Sequence, residues 1–565
     1  MWIVELPPFL VFYLGAFLVL IPHVKLRAAS MLVIPVLGAV QLYLLPEQQR
    51  LEETFLGMSL NPVRVDRLST LFGFAFNLAA FIAILYAFHI RDRMQQVAGL
   101  LYAGSAIGAV FAGDLLTLFV FWEMLAFSSV FLIWAKRTSR AYVIGLRYLV
   151  IHATSGLILL VGALLYWQSH GTLIFDFIGL DGIYGWLILL AVGIKCGFPL
   201  FHNWLTEAYP EATPTGTVFL SAFTTKAAVY MLARAYPGTE MLVYIGATMT
   251  CFPIFFAVIE NDLRRVLAYS MINQIGFMVC GIGIGTALAI NGAVAHAFND
   301  IIFKGLLFMA MGAVLTMTGR INGSDLGGLY KSMPKTTALC IVGAASISAF
   351  PLFSGFVSKS MIMSAAIKEG YDFIWVALLF ASAGVFHHAG IKIPYFAFFA
   401  HDSGIRTQEP PRGMLLAMTV AATLCILIGV FPGVLYSHLP FEMNYSPYDM
   451  THVLAQTQLL FFSALAFVWL NLIRLYPPEL PSVNIDVEWI YRKLLPDIGK
   501  SLLVPFRLVN VRLVNVRLRG IPSFFNTLSM LSDLYPWRSF SSTSGTAILC
   551  VVVAFAVLIS LGLVS

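Results

Sequence analysis

Charge is what this sequence has least of. Only 11% of its 565 residues are Asp, Glu, Lys or Arg, while 59% are hydrophobic. A soluble domain carries roughly 25% charged residues, so a soluble globular protein is excluded and a polytopic membrane protein remains. The net charge of +6 calls for no nucleic-acid partner, because its distribution fits membrane orientation. Cysteine is scarce too. The six cysteines (Cys196, Cys251, Cys280, Cys340, Cys425, Cys550) lie singly within apolar stretches. Without CxxC or Cys/His spacing, no zinc, iron–sulfur cluster, other cofactor or disulfide framework is expected. No basic n-region precedes the first apolar stretch, so residues 2–21 read as a retained span and not a cleaved signal.

Apolar sequence is what there is in quantity. Stretches long enough to cross a bilayer as a helix fall at 2–21, 27–46, 68–90, 95–112, 114–135, 142–167, 183–201 and 213–235. Others follow at 241–259, 265–284, 286–316, 336–366, 373–399, 413–436, 453–475 and 544–564. The expected fold is all-α, a polytopic membrane protein of about 16 transmembrane helices. Basic residues crowd every second connection: Lys25/Arg27, Arg91/Arg93, Lys136/Arg137/Arg140, Arg264/Arg265, Arg320/Lys331/Lys335 and Arg406/Arg412. By the positive-inside rule the N-terminus lies outside, these loops and the basic segment 476–543 are cytoplasmic, and the C-terminus ends outside.

A tetrapeptide repeats. Phe198-Pro199-Leu200-Phe201 recurs as Phe350-Pro351-Leu352-Phe353, with Lys195 and Lys359 nearby. Proline removes an amide donor and clashes with the preceding turn, so both spans should be broken. Paired broken helices in two halves of a membrane protein point to an ion pathway. The two lysines are read as equivalent switch points at comparable depth.

Several ionisable side chains sit where they are costly. Glu123 lies near the middle of a span, where a charge costs roughly 2.5–3.5 kcal/mol on insertion scales, so it should face a partner inside the protein. Asp114, at the start of the same span, reads as an interfacial N-terminal charge. Lys195 and Lys226 are deep in their spans. His296, Asp300 and Lys304 recur every four residues, which stacks them along one helix face; an Asp300–Lys304 pair is one reading of that spacing. Lys359 follows the second break. Lys392, a turn beyond His387 and His388, stands where a lysine can instead snorkel to an interface.

Such a set suits proton transfer better than solute binding. Burial disfavours a charged lysine and a nearby carboxylate favours it. A pair about 4 Å apart at an effective dielectric near 20 interacts by about 4 kcal/mol, so opening it changes proton affinity about a thousandfold. The proline breaks supply local flexibility and a wet cavity.

These residues also carry a resemblance. "YPEATPTGTVFLSAFTTKAAVYMLAR" (209–234), "DLRRVLAYSMINQIGFM" (262–278), "FPLFSGFVSKSMI" (350–362) and "VEWIYRKL" (487–494) resemble the antiporter-like subunits of respiratory complex I, membrane-bound hydrogenases and Mrp-type multisubunit sodium/proton antiporters. The first run looks most like the D-type component of the Mrp antiporters. The likeness covers roughly residues 60–495. It implies two inverted five-helix repeats, each with a broken helix, within a layout of N-terminal helices 1–94, repeats 95–235 and 241–400, core helices 413–475, the segment 476–543 and an extra helix 544–565. It implies a relay from Glu123, paired with Lys195, through Lys226 and His296 with Lys304 to Lys359. Implied partners are other membrane proteins of an antiporter complex in a bacterial plasma membrane, with protons, sodium and lipid. The alternative is a proton-pumping component of a redox complex. A third reading is an inert structural component, against which the costly buried charges argue. Two departures stand out. Many complex I relatives carry a second histidine where Asp300 stands. The tail beyond about residue 495 lies outside the resemblance, and its "RLVNVRLVNVRLRG" (507–520) reads as a basic interfacial helix or as a duplication without a role.

Overall fold

The computed structural model describes residues 6–46, 50–55, 58–480 and 484–498. The tail repeat at 507–520 and the span expected at 544–564 lie outside these residues.

The chain is helical almost throughout. It opens with α1 (Leu10–Gly15, continued as a 3₁₀ turn to Leu20) and α2 (Val24–Leu44). The segment between α2 and α3 is a β-hairpin, β1 (Arg50–Phe55) against β2 (Met58–Arg64), antiparallel with a bulge between Leu51 and Glu53. That hairpin is an addition to the all-helical expectation. Next come α3 (Arg67–Tyr86), α4 (Arg93–Phe111), α5 (Leu115–Trp134) and α6 (Ser139–His170). The first interrupted spans follow: α7 (Ile183–Cys196) with α8 (Asn203–Glu211), and α9 (Pro214–Ala222) with α10 (Thr224–Ala235). Then come α11 (Glu240–Ile259), α12 (Leu263–Ile284) and α13 (Ala287–Thr318). The second broken span is α14 (Pro334–Ile347) with α15 (Ser354–Lys368). The helix α16 (Asp372–Val385) runs on in π-helical turns at Phe386–Lys392 and Tyr395–Phe399. Finally α17 (Arg412–Val430), the short α18 (Pro432–Tyr436) and α19 (Met450–Leu472) complete the first unit. Residues 484–498, in a second unit, hold a short helical turn at Ile490–Leu494 with an Arg492–Glu488 ion pair.

Twelve helices among the described residues are long and apolar enough to span a bilayer. The expected total of about 16 differs for a physical reason. The first apolar stretch forms only the short helix Leu10–Leu20, both FPLF spans divide into pieces too short to cross alone, and the last lies outside the described residues.

The second half of the core echoes the first at an offset of 148 positions through its second long helix, widening to 152 at the FPLF turns. Asp114 and Asp262, 148 positions apart, each cap a helix and each form an isolated β-bridge, to Ile174 and Asn322. The 32-residue helices α6 and α13 begin after Thr138 and Thr286 and end on left-handed Gly171 and Gly319. Across the middle of α13 every residue but Phe298 is buried, the polar His296, Asn299, Asp300 and Lys304 included. Helices α11 and α12 approach backbone to backbone, so that a Cβ on Gly246 would collide with the amide of Cys280. Such contact needs glycine.

Candidate functional site

The two FPLF breaks are built alike, and proline is not what stops the helix. In α7 the amide of Phe198 bonds the Gly193 carbonyl (2.9 Å) and that of Gly197 the Ile194 carbonyl (3.3 Å), with Gly197 at φ +78°. In α14, Phe350 bonds Ala345 and Ala349 bonds Ser346, both at 3.1 Å, with Ala349 at φ +57°. Each is a left-handed helix cap placed before the proline. A turn follows, closed by Phe201 to Phe198 (2.9 Å) and Phe353 to Phe350 (3.1 Å). Leu200 and Leu352 stand at φ +75° and +72°, each costing about 1–2 kcal/mol in a conformation that suits glycine.

Register around these breaks corrects one expectation. Lys195 precedes Phe198 and Lys359 follows Phe353, so the two lysines stand on opposite sides of the repeated turn. The register counterpart of Lys195 is Ile347. Yet Lys359 Nζ donates to the Ile347 carbonyl at 2.9 Å, while Lys195 lies in the last turn of α7. The Lys359 amine thus meets the C-terminal end of the first half-helix, the end that favours a cation, whereas the Lys195 amine reaches across to Trp122 of α5.

Lys195 is fully buried. Its Nζ donates to the Trp122 carbonyl and sits 4.3 Å from the centroid of the Trp122 ring, a cation–π contact. Glu123, the next residue, is partly buried, and its carboxylate lies against Gly156 of α6, where a Cβ would overlap Oε1. The structure thus brings Lys195 to the turn that carries Glu123 but forms no direct ion pair between them. Gly156→Ala should displace the carboxylate, since a flexible side-chain end yields more readily than a helix. If Glu123 carries protons as the resemblance implies, ion flux in vesicles, measured against the amount of assembled protein, falls about tenfold with the fold intact.

Lys226 sits just past a break that its sequence does not announce. Tyr209 donates to the Leu220 carbonyl (2.7 Å), the Thr224 amide donates to Tyr102 Oη (3.1 Å), and Lys226 Nζ donates to the Ser221 carbonyl (3.0 Å). Side chains inserted into the backbone ladder separate α9 from α10. Lys226 Nζ also pairs with Asp300 Oδ2 of α13 at 2.6 Å, both side chains fully buried. The partner of Asp300 is therefore Lys226, not Lys304. Helical spacing puts Asp300 and Lys304 on one face, but a closer amine arrives from the other half.

Lys304 Nζ donates to Ser270 Oγ (2.8 Å). His296 Nδ1 meets Ser358 Oγ at 2.9 Å, and its Nε2 meets Gln274 Oε1 at 3.1 Å. The chain continues from Gln274 Nε2 to Asn273 Oδ1 (2.7 Å) and from Asn273 to the Thr250 carbonyl. Lys359 completes the row, 5.0 Å over the Phe277 ring.

Lys392 does not snorkel. It is wholly buried, donating to the carbonyls of Ala257 (3.2 Å), Val258 (2.6 Å) and Glu260 (2.6 Å) at the end of α11. It also pairs with Glu479 at 2.9 Å. Asp114 is a buried helix cap: its carboxylate accepts from the amides of Thr117 (2.7 Å) and Asn61 (2.8 Å), tying α5 to β2.

Sequence reasoning misses several members. Gln274 and Asn273 stand in the quoted run 262–278, where polar amides in mid-span are a usable signal. His152 is fully buried between the rings of Tyr148 and Trp204, centroids 4.2 and 4.4 Å away, with no hydrogen bond to either ring nitrogen among the described residues. It occupies the position 148 residues before Asp300. Glu479 lies beyond the last core helix and gives no local signal.

Among known proteins, the family described as NADH:quinone oxidoreductase/Mrp antiporter, transmembrane region, matches residues 112–384. The D-type component of the Na(+)/H(+) antiporter of Alkalihalophilus pseudofirmus is 30% identical over 346 residues, which cover 57% of this chain and 69% of that protein. A probable K(+)/H(+) antiporter component of the A/B type from Rhizobium meliloti is 30% identical over 404 residues, covering 66% of this chain and 40% of that protein. The chain spans about half the length of the A-type Na(+)/H(+) antiporter relatives that it matches. The structure of the Mrp complex from Dietzia sp. DQ12-45-1b contains a chain that aligns with a TM-score of 0.76 at 22% identity, covering 91% of this chain and 62% of that one.

Proposed function

We propose a function from one premise: this chain belongs to the NADH:quinone oxidoreductase/Mrp antiporter transmembrane family. In our reading it is the proton-conducting subunit of a multisubunit sodium/proton antiporter, working in a bacterial plasma membrane beside other membrane proteins of the complex. Residues 95–235 and 241–400 act as two inverted repeats, since each contains five crossings and an odd number reverses the second. The N-terminus and the loops opposite the basic ones face outward. Coverage favours the D-type role, because the matched D-type relative is spanned over 69% of its length.

The observation that carries this reading is the row of ionisable side chains through the centre. Glu123 and Lys195 stand open, Lys226 and Asp300 are closed as a pair, and Lys304, His296 and Lys359 each rest on a single polar neighbour or two. Closing one pair while opening the next moves a proton without moving a helix far. Each such change at about 4 Å is worth about 4 kcal/mol at an effective dielectric near 20. Lys392 and Glu479 form the end of the row towards the basic loops.

Glu123→Gln is the test. Cation/proton antiport in membrane vesicles is expected to fall to background while the assembled complex persists, because glutamine keeps the shape and loses the charge. Normal antiport by an assembled Glu123→Gln complex contradicts the reading. The family description also admits a proton-pumping component of a redox complex; co-purification with iron–sulfur proteins, in place of further antiporter components, is the result that favours it.

A further inference from the structure

A cavity of about 340 Å³ opens beside the second break. Its walls include Lys359, Ser360, Ser364 and Lys368 of α15, and His452 and Gln456 of α19. It runs from Lys359 to the start of α19, a helix outside both repeats. Much of the rest of its lining is apolar, including Phe356, Met363, Ile367, Trp375 and Leu379, so water in it is held at the polar groups of α15 and α19.

At its mouth three side chains are aligned. Asp449 caps α19, accepting the amide of His452 at 2.8 Å, and its Oδ2 contacts His452 Nδ1. His452 Nε2 meets Ser364 Oγ at 2.8 Å, and Ser364 Oγ meets Tyr445 Oη at 3.1 Å. The Asp449 side chain is 49% exposed and that of His452 31%, so the imidazole is open to the surface on one side and borders the cavity on the other. Gln456, a turn further along α19, donates to the Ser348 carbonyl at 3.1 Å and fixes α19 against the break.

We propose that Asp449, His452 and Ser364 form the port through which protons pass between Lys359 and the aqueous face at the start of α19. This rests on the relay reading above. A proton leaves the Lys359 ammonium along the polar groups of the lining, Ser360 and Ser364. Ser364 accepts a proton on its oxygen and passes its own hydroxyl proton to His452 Nε2, so that amine and imidazolium result. Asp449 orients the ring through Nδ1–H and stabilises the imidazolium, which then loses a proton to bulk water. The charged and titratable groups around the ring are Asp449 on its own helix, Tyr445 before it, and Lys368 and Lys359 across the cavity. A carboxylate, an imidazole and a hydroxyl in a row are what such a transfer needs.

The experiment uses the assembled complex in vesicles, with proton flux normalised to complex. His452→Ala is expected to slow flux about a hundredfold, and imidazole added on the exposed side should restore much of it. Ser364→Ala should slow flux about tenfold, with assembly unchanged. Unchanged flux in His452→Ala, or a loss that imidazole does not restore, overturns the port. If His452→Ala fails to assemble, Ser364→Ala decides: slowed flux supports the port and unchanged flux overturns it. Lys359→Ala separates the two levels, since it should be inactive with or without imidazole. Activity there overturns the relay itself, whereas inactivity there with full activity in His452→Ala overturns the port alone.

Discussion

Asparagine in place of Asp300 is expected to abolish antiport and to destabilise the protein together. Its carboxylate lies 2.6 Å from Lys226 Nζ, and neither side chain reaches solvent. Removing one member of a buried pair leaves the other charge uncompensated, at a cost of about 3–5 kcal/mol. Removing both is different. Lys226→Met with Asp300→Leu replaces the pair by apolar groups of similar volume, which is often neutral or stabilising. The double variant should therefore recover most of the thermal stability lost in Asp300→Asn and still carry no flux. Thermal unfolding of the purified complex and vesicle antiport, measured on the wild type and both variants, check both halves. Stability and flux recovering together in the double variant would make the pair structural only.

That pair also shows what the sequence can and cannot reveal. Charges inside apolar spans are visible at once, because each is expensive there, and Lys195, Lys226, Asp300, Lys304 and Lys359 all stand out that way. The partner of Asp300 does not. Helical spacing names neighbours on one helix, such as Lys304, whereas the amine that reaches Asp300 comes from a helix about 70 residues earlier, beyond the reach of any i, i+4 argument. The same limit hides Glu479 behind Lys392, and His452 behind Ser364. The FPLF repeat announces two breaks, but their construction from a left-handed cap at Gly197 and Ala349 depends on φ and on hydrogen bonds that four letters do not spell. The break at Phe223 has no proline at all. It exists because Tyr209 and Tyr102 take the backbone groups of Leu220 and Thr224. The count of spans runs high where a helix divides, since hydropathy sees the apolar run and not the turn within it.

The relay is tested most directly at the two lysines beside the breaks. Lys195 and Lys359 are buried, and each amine rests on a backbone carbonyl and an aromatic ring. A lysine that must give up and recapture its proton in each cycle tolerates neither alanine nor arginine. Arginine keeps its charge throughout, with a pKa above about 12, and cannot donate. A lysine that only supplies a fixed positive charge gives the opposite order, with alanine inactive and arginine largely restored. The measurement is vesicle antiport for Lys195→Ala, Lys195→Arg, Lys359→Ala and Lys359→Arg, each normalised to assembled complex. The relay predicts background flux in all four, and near-normal flux in both arginine variants would contradict it.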